Sequence, residues 1–144
     1  MNDPIALDEM YFVGPQALVE DFAEIKAMGF ERVINNRPDG ESDDQPVSAD
    51  LEMAAREHGL EYVYNPVNLS VLGQKQVSQQ QASLEESKKT FAFCRTGTRS
   101  SAMWVLVNNA QGQDYQTLVD YVSVKGFDLA RCEVAMQPLV THNA

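Results

Sequence analysis

The stretch Phe91-Ala92-Phe93-Cys94-Arg95-Thr96-Gly97-Thr98-Arg99-Ser100-Ser101 runs from a short apolar strand pattern, through one cysteine, into a helix start. A Gly-containing turn that opens into a helix offers an anion two things: backbone N–H groups and the positive end of the helix dipole. Arg99 adds a planar fork of donors. The same field favours the nucleophilic thiolate over the thiol, so Cys94 is expected to be a reactive cysteine. A free cysteine at a strand end is often only a small core hydrophobe. Here the residues that follow it are too polar for an apolar core to take without partners for their donors.

Upstream of this stretch the pattern alternates. Residues 11–13 read as a strand that stops at Gly14-Pro15, and 17–28 carry apolar residues at helical spacing before Gly29. A second strand is expected over 32–35, a loop over 36–46, a helix over 48–58 and a third strand over 60–64. Pro66 falls in the next loop, and the polar, glutamine-rich segment 74–87 reads as an exposed helix before the fourth strand at 91–93. Helices over 100–109, 115–123 and 129–139 complete the chain, with Trp104, Met103 and Val107 as core. Alternating strands and helices predict an α/β fold, a mostly parallel central sheet flanked by helices on both faces. In such sheets the ligand site lies beyond the carboxyl ends of the strands, where Cys94 and the loops after Val13, Asn35 and Tyr64 converge.

Length and composition narrow the possibilities. The 144 residues, 44% of them hydrophobic, suit one domain over 1–144 with a core that needs no disulfide or metal. The longest apolar run, 102–107, is too short to span a bilayer, and the acidic N-terminus lacks a signal pattern. A cytoplasmic protein without a membrane partner is expected. Cys94 and Cys132 form no zinc pattern with His58 and His142, so neither metal nor organic cofactor is expected. Cys132 lies in a helical pattern and reads as a packed residue before a resolving thiol. A net charge of −10 argues against nucleic acid as a partner. Arg37, Arg95 and Arg99 can still form a local positive pocket for a small anion.

Cys94-Arg95-Thr96-Gly97-Thr98-Arg99-Ser100 resembles the anion loops of two chemistries, the cysteine-dependent tyrosine and dual-specificity phosphatases and the rhodanese sulfurtransferases. Together with Asn35-Asn36-Arg37-Pro38-Asp39-Gly40-Glu41 and Pro66-Val67, it is similar to the bacterial phosphatase-like domain of beta-lactamase-hydrolase-like proteins, some members of which are labelled sulfur transferases. The resemblance covers about residues 5–140 and implies a dual-specificity-phosphatase-like fold. It also implies that Cys94 attacks phosphorus while Arg99 clamps two oxygens of the phosphoryl group. Backbone N–H groups from Arg95 through Thr96, Gly97 and Thr98 to Arg99 hold the remaining charge, and Ser100 stabilises the departing thiolate.

The chain departs from the phosphatase pattern in three places. Only Arg95, Thr96, Gly97 and Thr98 stand between Cys94 and Arg99, four residues where the phosphatases have five; rhodanese loops commonly have four. Phe93 replaces the usual histidine before the nucleophile, and the loop 65–70 lacks the aspartic acid that serves as general acid. Asp39, in a turn after the second strand, is the expected substitute, and Arg37 the expected second anion clamp. Three functions follow as expectations. The first is a hydrolase of phosphotyrosine-like monoesters, acting on a phosphorylated small molecule or phosphoprotein. The second is a sulfurtransferase that takes sulfane sulfur from a donor as a persulfide on Cys94. The third is a phospho-ligand binding module with little activity.

Overall fold

Thr90–Phe93 is buried at every residue, a condition met only by a strand with neighbours on both edges and cover on both faces. In the computed structural model, which describes residues 1–142, this segment is the middle of a five-stranded sheet. The strands are β1 (Ile5–Ala6), β2 (Tyr11–Gly14), β3 (Arg32–Asn35), β4 (Glu61–Tyr64) and β5 (Thr90–Phe93). Their order across the sheet is β1-β2-β5-β3-β4, with β1 antiparallel to β2 and every other pair parallel. This is the mostly parallel α/β architecture that the alternating pattern predicts.

The register brings the strand ends level. Gly14 and Asn35 both stand opposite Phe93, and Tyr64 stands opposite Asn35. The loops that follow these four residues therefore open at one edge of the sheet, with Cys94 at its centre.

Helices α1 (Phe22–Ala27) and α2 (Ser48–Glu57) cover one face, burying Phe22, Ile25, Leu51 and Ala54 against Val33, Phe91 and Phe93. Helices α3 (Gln74–Ser83), α4 (Thr98–Ala110), α5 (Tyr115–Val124) and α6 (Glu133–Met136) pack on the other with Val13, Ile34 and Ala92. Neighbouring residues of each strand serve opposite faces, as the pleat requires. Helix α4 is buried along nearly its whole length, which explains its continuous run Ala102–Val107. None of the helices among the described residues is long and apolar enough to cross a membrane.

Several elements differ from the sequence expectation. Strand β1 was not expected; it exists because the Asp8 carboxylate accepts from the N–H groups of Met10 and Tyr11 and turns the chain into a hairpin. The helix expected over 17–28 opens as a 3-10 turn, Val19–Asp21, with the Asp21 carboxylate receiving the Leu18 N–H. The helix expected over 129–139 is broken into 3-10 turns at Ala130–Cys132 and Gln137–Leu139 around α6, the last containing Pro138. Helix α4 starts two residues before the expected Ser100, because Gly97 takes a left-handed conformation (φ 97°) and begins it at Thr98. Helix α3 is also less exposed than its composition suggests, since Val77 and Gln80 are buried.

Candidate active site

Cys94 follows the buried strand β5 and is itself 1% exposed. The loop returns over it so that the Gly97 N–H donates to the Cys94 sulfur, at 3.1 Å. Only glycine fits at position 97, because a Cβ there would lie 2.8 Å from the Phe127 ring on a backbone with positive φ. Thr98, Arg99 and Ser100 form the first turn of α4, whose N–H groups have no carbonyl partner within the helix.

Outside the loop is an open cavity of about 840 Å³, lined by the three arginines 37, 95 and 99 and by Gln16, Glu41 and Asp44, among others. Arg99 is held from the far side. Its Nη1 donates to Glu41 Oε2 at 2.7 Å and its Nη2 to Glu41 Oε1 at 2.8 Å, while Nη1 also reaches the Val67 carbonyl at 2.9 Å. Burial pulls the Arg99 pKa down, but the Glu41 carboxylate and the nearby Cys94 more than offset it, so it is raised. Glu41 answers in kind: hydrogen bonding from Arg99, joined by Arg37, holds its carboxyl below the usual range against the opposing effect of burial.

Arg37 lines the same cavity with three of its five donors already engaged. Its Nε donates to Glu41 at 3.0 Å, Nη1 to Gln16 at 3.0 Å and Nη2 to Ser42 at 3.5 Å. It braces Glu41 as much as it faces an anion. Arg95 and Thr96 are exposed, and the Arg95 guanidinium donates to no protein group among the described residues. Thr98 pairs its hydroxyl with that of Thr96 at 3.1 Å.

Two further expected residues are engaged away from the sulfur. The Asp39 carboxylate accepts from the Ser48 N–H at 2.8 Å, capping the start of α2, and Asp39 is not among the cavity's lining residues. Ser100 is fully buried and donates its hydroxyl to Asn36 Oδ1 at 2.9 Å. Cys132 is buried in the core under α4, and burial pushes its thiol up to about 11. Glu41 is the site residue that sequence reasoning missed. It closes the Asn35–Glu41 motif and stands four residues after Arg37, but neither gives it a role, because its bond to Arg99 spans 58 positions.

Known proteins resemble this chain in sequence and in fold. The chain is 30% identical over 127 residues to the beta-lactamase hydrolase-like protein of Agrobacterium fabrum, an overlap of 87% of this chain and 30% of that protein. The chain thus spans about 30% of the length of the curated relatives it matches. A candidate phosphatase of Neisseria meningitidis superposes with a TM-score of 0.78 at 25% identity, over 94% of this chain and 96% of its own. Tk-PTP in its active form superposes with a TM-score of 0.75 over 94% and 95% of the two chains; at 18% identity this likeness concerns the fold alone. The family model for the phosphatase-like domain of beta-lactamase hydrolase-like proteins matches residues 4–111, and the chain belongs to that family.

Proposed function

We propose that this chain hydrolyses phosphate monoesters through a phosphocysteine on Cys94. The observation that carries the reading is the Gly97 N–H aimed at the Cys94 sulfur, with Arg99 on the helical turn that follows. In the first step the Cys94 thiolate attacks phosphorus, the P–S bond forms and the P–O bond to the leaving group breaks. The leaving oxygen departs with the electron pair and takes a proton from solvent. Water then attacks phosphorus, the P–S bond breaks back to the thiolate, and inorganic phosphate and a proton are released. Arg99 and the N–H groups of Arg95, Thr96, Gly97 and Thr98 meet the charge on the equatorial oxygens. Ser100, whose rotamer is set by its bond to Asn36, lends its hydroxyl to the departing sulfur.

The carboxylates near the cavity make poor proton donors. Glu41 is kept ionised by Arg99 and Arg37, and Asp44 is held low by the Ser42 hydroxyl. Asp39 is committed to capping α2. A general acid is worth about 10²- to 10⁴-fold, a factor an aryl phosphate needs far less than an alkyl one. The substrate class is therefore a phosphotyrosine-like ester, on a small molecule or a phosphoprotein.

The four-residue interval between Cys94 and Arg99 favours a second reading, sulfur transfer through a persulfide on Cys94. Wild type and Cys94→Ser, given an aryl phosphate and separately thiosulfate with cyanide, separate the two. Cys94-dependent phenol release without thiocyanate is the expected result, and the reverse establishes the sulfurtransferase. Silence in both assays overturns both.

A further inference from the structure

Behind the Cys94 loop lies a closed polar ring in which Gln80 and Asn36 each make four side-chain hydrogen bonds. Gln80 comes from α3, is 0% exposed, and sits in a segment whose composition gives no sign of a buried amide. Its Oε1 accepts from Asn36 Nδ2 at 3.0 Å and Asn65 Nδ2 at 2.7 Å. Its Nε2 donates to the Tyr11 hydroxyl at 2.9 Å and to Asn36 Oδ1 at 3.3 Å. Tyr11 donates in turn to the Ser100 carbonyl at 2.9 Å, and Ser100 donates to Asn36 Oδ1.

A fully satisfied buried network of this kind fixes one arrangement, because turning an amide over would set donor against donor at Gln80 and acceptor against acceptor at Asn36 or Asn65. Asn36 illustrates the point. With its Nδ2 given to Gln80 and to the Asn65 carbonyl, its Oδ1 must face Ser100. The same residue's backbone carbonyl receives the Val67 N–H at 2.9 Å, and the Val67 carbonyl holds Arg99. Two paths therefore run from Gln80 to the start of α4, one to the Ser100 hydroxyl and one to the Arg99 guanidinium. An apolar residue of similar size would fill the same space but leave the Asn36 and Asn65 amides short of an acceptor.

We infer that Gln80 is a positioning residue for the Cys94 site, acting through Asn36 on both Ser100 and Arg99. The inference rests on the phosphomonoesterase reading, in that Ser100 serves departure of the sulfur and Arg99 holds the anion. Replacing Gln80 removes an acceptor that, with the Asn65 carbonyl, holds the Asn36 amide, so the Ser100 rotamer and the Val67 carbonyl are set less firmly beside the loop. Both steps of the reaction then suffer, the breakdown of phosphocysteine most.

The test compares wild type, Gln80→Met, Ser100→Ala and the double variant with p-nitrophenyl phosphate. Phosphoenzyme is trapped by acid quench and read by intact mass, and thermal unfolding verifies folding. Gln80→Met is expected to slow steady turnover about tenfold with a visible burst and accumulated phosphoenzyme. In the Ser100→Ala background the same change is expected to add little to that slowing, because the two act as a unit. Tyr11→Phe, which keeps the Gln80–Asn36 pair, is the milder variant if Gln80→Met does not fold; it is expected to show a smaller burst of the same kind. The second readout needs no turnover: inorganic phosphate shields Cys94 from iodoacetamide, and half-protection is expected to take about tenfold more phosphate in Gln80→Met.

A folded Gln80→Met that matches an active wild type in burst and in protection overturns the inference and leaves the functional reading intact. So do losses that simply add in the double variant. A wild type that neither turns over nor is protected by phosphate overturns the functional reading and the inference with it.

Discussion

Glu41 sets the electrical balance at the site. Its carboxylate takes both Nη atoms of Arg99 and the Nε of Arg37, so an incoming phosphoryl group meets an arginine that already has an anionic partner. Glu41→Gln removes a negative charge a few ångströms from the bound anion, a repulsion of about 1 kcal/mol at 4 Å in a water-like dielectric. Inorganic phosphate is therefore expected to inhibit the variant about fivefold more tightly, read as a competitive inhibition constant. The same pairing makes stability pH-dependent. The Glu41 carboxyl is depressed in the folded state, so its contribution is fully present above the ordinary glutamate pKa of about 4.3 and is lost as the pH falls through the depressed value. The gap in melting temperature between wild type and Glu41→Gln should close in acid, and a gap that persists there contradicts the assignment. Cys132 behaves in the opposite way. With its thiol pushed up to about 11 by burial, it stays protonated at neutral pH, and iodoacetamide is expected to spare it, as peptide mass mapping can establish.

At the scale of elements, the start of α2 carries an expectation of its own. Because the Asp39 carboxylate receives the Ser48 N–H, Asp39→Ala should cost about 1 kcal/mol of stability, as loss of a helix cap does. Its turnover of an aryl phosphate should be almost unchanged; a hundredfold loss would restore Asp39 as the general acid. Asp39 shows how far the chain could be read before its structure was known. The strand, cysteine, glycine turn and helix of residues 90–110 are local signals, so β5, the Cys94 loop and α4 were legible to within two residues. The Asp-Gly pair marked a turn correctly, but whether its carboxylate faced the cavity or α2 depended on where Ser48 would lie. Glu41 and Gln80 were hidden for the same reason, as their partners are distant in sequence. The glutamine-rich stretch of α3 gave no periodic cue to single out position 80, and β1 is two residues long, too short for any pattern.

At the scale of the whole molecule, the site depends on packing from outside the segment that supplies its chemistry. Phe127 lies between α5 and α6, beyond the matched family span of 4–111, yet its ring is where a Cβ on Gly97 would fall. Phe127→Ala is expected to cost about 3 kcal/mol or more in denaturant unfolding, and also to raise the phosphate needed to protect Cys94. A loss of stability without that second effect would separate the core from the loop. The contact also carries a temporal consequence. During synthesis Glu41, Cys94, Arg99 and Ser100 all leave the ribosome before Phe127 does. A nascent chain paused between them holds those residues on a loop whose glycine has the Gly14 carbonyl beside it but lacks the Phe127 ring. The loop is then expected to take its final shape late, once Phe127 closes against Gly97.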